Sequence, residues 1–325
     1  MTGSDPPIAL VGGIVAHNEE ETVGPALRAL LEQDLGDRAV WRTIWVVASG
    51  CTDRTVERAR EAANGDPRVA IVEQRDRRGK ADALNTIFDS ALGDLLVLVN
   101  GDAVAEPGAI AALLAVARGL PAPFAIMGQP VPPPDHGTGA VAGAIGLLWR
   151  IHDALHAETL SHGEGNHLSD ELLLVSLPVP CRFAEGTIND GAYLGAILGE
   201  ADGRLAYAPA ARVRIRVPTT VGDYLAQRRR IYAGHARQAR VMGRVPTTLV
   251  SVALRAPARA ARLVGRCAAD SGRWGALPVL VSLEAAAIAL ALWDELPPRR
   301  SHVRWRRVET VAAWPTGSER GSSQT

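Results

Sequence analysis

Four short polar clusters in this 325-residue chain carry side chains suited to handling charged oxygen. They are "AHNEE" (16–20), "SGCTD" (49–53), "RRGKADALN" (77–85) and "NGD" (100–102). The last ends the apolar run "LLVLV", and a carboxylate at the tip of a buried strand, here Asp102, can hold a hard divalent cation that neutralises phosphate oxygens. In the third cluster Gly79 lets a backbone come close, and Lys80 places a point charge at a helix start whose free N–H groups also favour an anion. Lys80 is the only lysine in the chain, beside 34 arginines. Each cluster has a plainer reading. Asn100-Gly101 is a hairpin signal in which Asp102 would merely cap a turn, although residues 103–107 run straight into a helix start. Lys80 would be a solvated helix-cap residue, and Asp53 an N-cap.

The elements that must position these clusters can be read from periodicity. Short β-branched runs at 8–15, 42–48, 69–73 and 95–99 alternate with helix-like stretches at 22–33, 53–63, 80–92 and 107–118. This is the β-α repeat of a parallel sheet covered on both faces. In such sheets ligands sit beyond the carboxyl ends of the strands, where all four polar clusters fall. Their shared edge is stronger testimony than any cluster alone. Further on, "GQPVPPPDHGTG" (128–139) reads as an exposed loop or hinge. Helices are expected from 140 to about 162, over 189–199 and over 221–242, with short strands near 205–208 and 213–217. Beyond 245 an Arg/Ala-rich amphipathic stretch leads into an apolar segment, 276–293, and a polar tail from Pro315.

Composition narrows the partners. Lysine plus arginine equals aspartate plus glutamate at 35 each, so no global field selects nucleic acid. Between Gly203 and Ala269, however, Asp223 is the only acidic residue among many arginines, so this half expects a negative partner, phosphate or an anionic membrane surface. Aromatic residues make up only 4%, too few for a base-stacking groove, and no nucleic-acid partner is expected. The three cysteines lack CxxC spacing, which supports neither a disulfide framework nor a cysteine zinc site. Cys51 reads as a packing residue. The N-terminus lacks the basic start of a signal peptide, and a cytoplasmic home is the expectation. The segment 276–293 holds Pro278 and a central Glu284 and is at the short limit for a span, so a buried or interfacial helix is expected.

In order and spacing, "IVAHNEEETV", "WVVASGCTDRTVE", "RRGKADALN" and "VNGD" resemble the nucleotide-sugar-binding half of family-2 glycosyltransferases of the GT-A fold. The stretch from "NDGAYLGAILGE" to "QRRRIYAGH" is similar to the acidic base motif and the glutamine-arginine motif of the same family, so the resemblance covers about residues 8–235. It implies an α/β fold, a GT-A-type mostly parallel sheet flanked by helices, with a helical C-terminal extension. The implied division is 1–128 for nucleotide-sugar binding, 129–244 for the acceptor and catalytic half, and 245–325 for the Arg/Ala-rich region and tail. It implies that Ala16, His17, Asn18, Glu19, Ser49 and Asp53 border the nucleotide, that Lys80 approaches the diphosphate, and that Asn100 and Asp102 occupy the Asp-x-Asp place with Asp102 as metal ligand. It further implies that Asp190 is the general base and that Gln227, Arg229 and Arg230 close over the diphosphate. The cofactor would be Mg2+ or Mn2+. The donor would be a nucleoside-diphosphate sugar, UDP favoured over GDP or TDP, and the acceptor a small molecule or a lipid-linked one, attacked with inversion.

The chain departs from the family pattern at informative places. Asn100 removes one charge from the metal motif, leaving Asp102 as its only ionised ligand. Ala48 replaces an aspartate that reads the base, Asn189 stands where glutamate is common, and Ile231 replaces an acceptor-stacking tryptophan, which favours a single transfer over polymerisation. Two other functions share parts of the pattern. A sugar-1-phosphate nucleotidyltransferase would need a glycine-rich loop after the first strand, and "AHNEE" is not one. A catalytically silent nucleotide-sugar-binding protein is made thinkable by Asn100. A rival metal site is drawn from His152, His156, Glu158, His162, Glu164 and His167, without the HExxH order, and an acceptor-lining segment is the preferred reading. The arginine-rich helix reads as either a solvated face or a peripheral membrane contact.

Overall fold

The structure is a computed structural model that describes residues 6–134, 137, 139–178, 182–295 and 311–312. The polar tail from Pro315 lies outside the described residues. Strands β1 (Ile8–Ala16), β2 (Ala39–Ser49), β3 (Val69–Gln74) and β4 (Leu95–Asn100) alternate with helices α1 (Val23–Leu31), α2 (Thr55–Ala63) and α3 (Lys80–Ser90). The chain continues through β5 (Val104–Ala105), α4 (Ala109–Ala117), β6 (Phe124–Val131), α5 (Ala140–Ser161), β7 (Leu172–Ser176), α6 (Asp190–Glu200), β8 (Arg204–Arg214) and β9 (Val217–Pro218). Helices α7 (Val221–Met242), α8 (Leu249–Arg255), α9 (Pro257–Asp270) and α10 (Leu277–Asp294) follow, then β10 (Val311–Ala312), which pairs with β9.

The eight-stranded sheet runs β3-β2-β1-β4-β7-β6-β8-β5. Its first four strands are parallel, as the β-α alternation predicts. Strand β7 then runs antiparallel to both β4 and β6, so the sheet is mixed beyond β4. Burial explains why the apolar runs are continuous. In β4, Leu95, Val97 and Val99 pack into the core on one face while Leu96 and Leu98 pack into the core on the other. Each such side chain contributes roughly 1.5–3 kcal/mol of burial free energy. Wrapping helices on both faces makes strict hydrophobic alternation unnecessary.

Three expectations change. The loop expected over 128–139 begins later, because Gly128–Val131 complete β6; Asp135, His136 and Thr138 lie outside the described residues. The two short strands expected near 205–208 and 213–217 are one strand, β8, with a bulge opposite Gly128 and Gln129, followed by β9. Strand β7 had no counterpart in the sequence reading. The apolar segment forms α10, which packs along α7 and is anchored there: the Arg228 guanidinium donates to Glu284 from Nε at 2.8 Å and from Nη2 at 2.6 Å, and Tyr224 Oη donates to the same carboxylate at 2.6 Å. By length and composition α10 could cross a membrane. An ion pair with side chains 19% and 17% exposed ties it to α7.

Candidate active site

The tip of β4 is shaped by close backbone packing. A Cβ on Gly101 would stand 2.9 Å from both Val15 O and Ala16 Cβ, so only glycine lets this loop lie against the end of β1. Gly101 N donates to Val15 O at 2.9 Å and Ala103 N to Asn100 O at 3.0 Å. The hairpin reading of Asn-Gly fails, because Gly101 lacks the positive φ of a type I′ turn and β5 pairs with β8, not β4. Asp102 faces the interior beside Lys80 and Arg216. Burial pushes its carboxyl above the usual range, against the pull of those two cations.

The β1 and β2 loops are locked to each other. His17 Nδ1 lies 2.7 Å from Ser49 O, and burial lowers the imidazole's pKa. Asn18 takes a left-handed φ of 55° and its Oδ1 accepts from Thr52 N at 2.8 Å. Asp53 accepts from Thr55 N at 3.0 Å and from Glu20 N at 3.2 Å, which opens α2 and ties down the first loop. Ala16, His17, Glu19 and Ser49 line the cavity described below, whereas Asn18 and Asp53 do not. In this structure the latter two fasten the loops to each other.

At the centre Lys80, which opens α3, meets two carboxylates. Its Nζ lies 2.9 Å from Asp190 Oδ2 and hydrogen-bonds Asp170. Asp190 opens α6, and the approach is made possible by Gly191: a Cβ there would fall 2.0 Å from Leu168 O. Burial opposes the Lys80 charge, but the two aspartates outweigh it and hold the ammonium above its ordinary range. Burial raises Asp190 to about 6 even against Lys80's pull. Asp170 is also pushed up by burial, yet Lys80 outweighs it and holds the carboxyl below the usual range. Glu171, next to it, is driven up to about 7 by burial and by the Asp170 charge. Sequence reading missed Asp170 and Glu171.

Helix α7 begins with Thr220 Oγ1 accepting from Asp223 N at 3.1 Å and presents Gln227, Arg228, Arg230 and Ile231 to the cavity. Arg229 points the other way, where its Nε donates to the buried Asp294 at 2.5 Å. Here the residue fastens α10 to α7 and does not line the cavity with Arg228 and Arg230. Arg216, just before β9, lines the cavity with side-chain exposure of 15%. It pairs with Glu21 at 3.2 Å through Nη2, leaving Nε and Nη1 without hydrogen-bond partners among the described residues. The histidine cluster also takes shape. His152, His156 and His167 form a chain of adjacent rings with His235 of α7, whose contribution the sequence concealed. Burial lowers all four, His235 to about 3, so they are neutral. His162 stays outside, exposed, with Nδ1 2.6 Å from Glu158 O. Glu158 and Glu164 pair with Arg259 instead.

The Lys80 centre, Asp102, Arg216, the inward side of α7 and the four clustered histidines line one cavity of about 720 Å³. Among the described residues no three His, Cys, Asp or Glu side chains converge as a metal cage, the histidine cluster included. What remains for a metal is Asp102 with Asn100 beside it, hard oxygen donors whose one carboxylate is pushed up by burial. Such a tip suits a cation that takes most of its ligands from phosphates and water, as Mg2+ does.

The family model described as Glycosyl transferase family 2 matches residues 13–152. No curated protein matches the chain. Among solved structures, the mannosyltransferase PcManGT from Pyrobaculum calidifontis, in complex with GDP-Man and Mn2+, superposes with a TM-score of 0.64 at 19% identity, covering 92% of this chain and 90% of its own. Glucosyl-3-phosphoglycerate synthase from Mycobacterium tuberculosis, in complex with Mn2+, UDP-Glc and phosphoglyceric acid, gives a TM-score of 0.45 at 17% identity, covering 71% of this chain and 79% of its own. Residues 13–152 thus match the family 2 glycosyl transferase model, and the chain has the GT-A fold of the mannosyltransferase it superposes on.

Proposed function

We propose that the chain moves a sugar from a nucleoside-diphosphate sugar to an acceptor hydroxyl, with Asp190 as general base. The observation that carries this is Asp190 itself: a residue only 3% exposed, lining the cavity, with its carboxyl pushed up to about 6. A base poised near neutrality is ionised at working pH and still draws a proton strongly. Asp190 Oδ1 has no hydrogen-bond partner among the described residues, so an acceptor hydroxyl can donate to it as attack begins.

Charge builds on the leaving diphosphate, and the opposite requirement is a set of fixed cations. Arg216 supplies two unengaged N–H positions there, and Arg77 and Arg230 line the same cavity. Asp102 and Asn100 would hold a divalent Mg2+ or Mn2+, whose contribution is to neutralise diphosphate oxygens. Lys80 keeps Asp190 and Asp170 in place through its two contacts. In this reading the acceptor attacks from the Asp190 side while the diphosphate departs toward Asp102 and Arg216, which inverts the anomeric centre. Ile231 gives the cavity no aromatic platform at that position, in keeping with one transfer per acceptor.

The test is donor turnover in Mn2+ with UDP-, GDP- and TDP-sugars. Asp190→Asn should bind donor within about twofold of the wild type and lose roughly 10²–10⁴-fold in transfer. Equal transfer by the variant would remove Asp190 from the chemistry. Tight donor binding without turnover in the wild type would make the chain a silent nucleotide-sugar binder.

A further inference from the structure

The cavity has two chemically different ends. One is the charged floor of Asp102, Lys80, Asp170 and Asp190; the four imidazoles line the same cavity. His152 Nδ1, His156 Nε2, His167 Nδ1 and His235 Nε2 are buried atoms without hydrogen-bond partners among the described residues. Neutral rings with idle nitrogens suit hydroxyl or carbonyl groups, not ions. The other is apolar, with Val250 and Leu254 of α8 and Val281, Ala285 and Ile288 of α10 in its lining. Leu254 is 82% exposed and Val281 58%, so this apolar end is also the mouth.

The surface around the mouth is unusual for a chain in water. Trp274, Pro278, Val281, Ala285, Ala289 and Leu292 recur at helical spacing and all are exposed, an uncharged face about 27 Å long at ~1.5 Å per residue. The opposite face carries the buried Leu280, Ala287 and Ala291 and the Glu284 anchor to α7, so α10 lies along the body with its apolar side outward. Basic residues flank it. Arg255 ends α8 and is exposed; Arg262 is exposed on α9, three residues before Gly265, where a Cβ would touch the Trp274 ring at 3.8 Å. No ion pair engages Arg255 or Arg262 among the described residues. An exposed apolar face with bordering arginines complements an anionic lipid interface.

We propose that the mouth between α8 and α10 rests on an anionic bilayer and that the acceptor is an amphiphile held in it. The hydroxyl-bearing head passes the four imidazoles to reach Asp190, and the hydrocarbon chain stays between α8 and α10. The acceptor class rests on the transferase reading of Asp190; the seating on lipid does not.

Flotation of the full chain with vesicles of phosphatidylcholine, with and without phosphatidylglycerol, tests the seating. The wild type should float with the anionic vesicles and lose most of that binding in high salt. The paired substitutions Trp274→Glu with Leu292→Glu, or Arg255→Glu with Arg262→Glu, should each weaken it about tenfold while donor affinity stays within about twofold. Wild-type protein that stays at the bottom of the gradient, or variants that float equally well, overturn the proposal. For the acceptor, vesicles of total polar lipid extract are incubated with labelled nucleotide sugar. Label should enter the organic phase, and Ala285→Trp should block this while donor affinity by calorimetry stays within about twofold. Label found only in water-soluble glycosides overturns the lipid acceptor and leaves the transferase standing. Absence of donor binding in the wild type would instead strike the transferase reading, with the flotation result intact.

Discussion

Replacing Asp190 with asparagine exchanges a buried carboxylate for a neutral side chain of nearly the same shape, and the cost of that buried charge can be worked out. The carboxyl sits at about 6 in the folded protein against an ordinary 3.8, with burial as the main cause and Lys80 as the opposing one. A displacement of roughly two units corresponds to about 3 kcal/mol at ~1.4 kcal/mol per unit. Between about pH 4 and 6 the folded chain keeps a proton that the unfolded chain has released, so this group's contribution to stability falls as pH rises through that window. Above it, the ionised Asp190 burdens the fold by the full amount; asparagine does not, and Lys80 retains Asp170 as its partner. Asp190→Asn should therefore be more stable than the wild type by up to about 3 kcal/mol at pH 8, and the gap should close toward pH 4. Urea denaturation across that range, followed by circular dichroism, measures the difference, alongside the transfer assay in which the variant is nearly inactive. A variant less stable than the wild type at pH 8, or a gap indifferent to pH, would refute the placement of a costly buried charge at this position.

The same titration predicts a rate profile: transfer should fall as pH drops through about 6, because protonated Asp190 cannot accept the acceptor's proton, and a flat profile there would count against it. Glu284→Gln should cost about 3 kcal/mol in urea denaturation, since it leaves the Arg228 guanidinium, 19% exposed, without its carboxylate. Arg216→Gln should weaken donor binding about tenfold by calorimetry with little change in melting temperature, because it removes N–H groups that the protein itself leaves unengaged.

The N-terminal half of the fold was legible in sequence because a parallel sheet buried on both faces writes its strands as unbroken apolar runs, each closed by a polar tip. Asp102 and Lys80 could be found by looking after each strand. Asp170 and Glu171 could not, and the reason is direction: β7 runs antiparallel to β4, with Val99 opposite Leu172, so its site residues precede the strand. The signal "SDELLLVS" was present but stood on the side of the run where a parallel strand has nothing to offer. The outward turn of Arg229 was hidden for another reason. Adjacent positions on a helix point about 100° apart, and a motif match does not say which of three consecutive arginines turn inward and which turns away. His235 lies far in sequence from His152, His156 and His167, and only packing of α7 against the rest brings it to them.

Calorimetric titration of UDP-, GDP- and TDP-sugars into the full chain, with Mn2+ and then with EDTA, bears most directly on the proposed chemistry. At least one donor should bind, about tenfold more tightly with the metal, and Asp102→Asn should erase that gain while leaving metal-free binding in place. Failure of every nucleotide sugar to bind, or an affinity the same in Mn2+ and EDTA, would contradict a metal-assisted, nucleotide-sugar-dependent site at the end of β4.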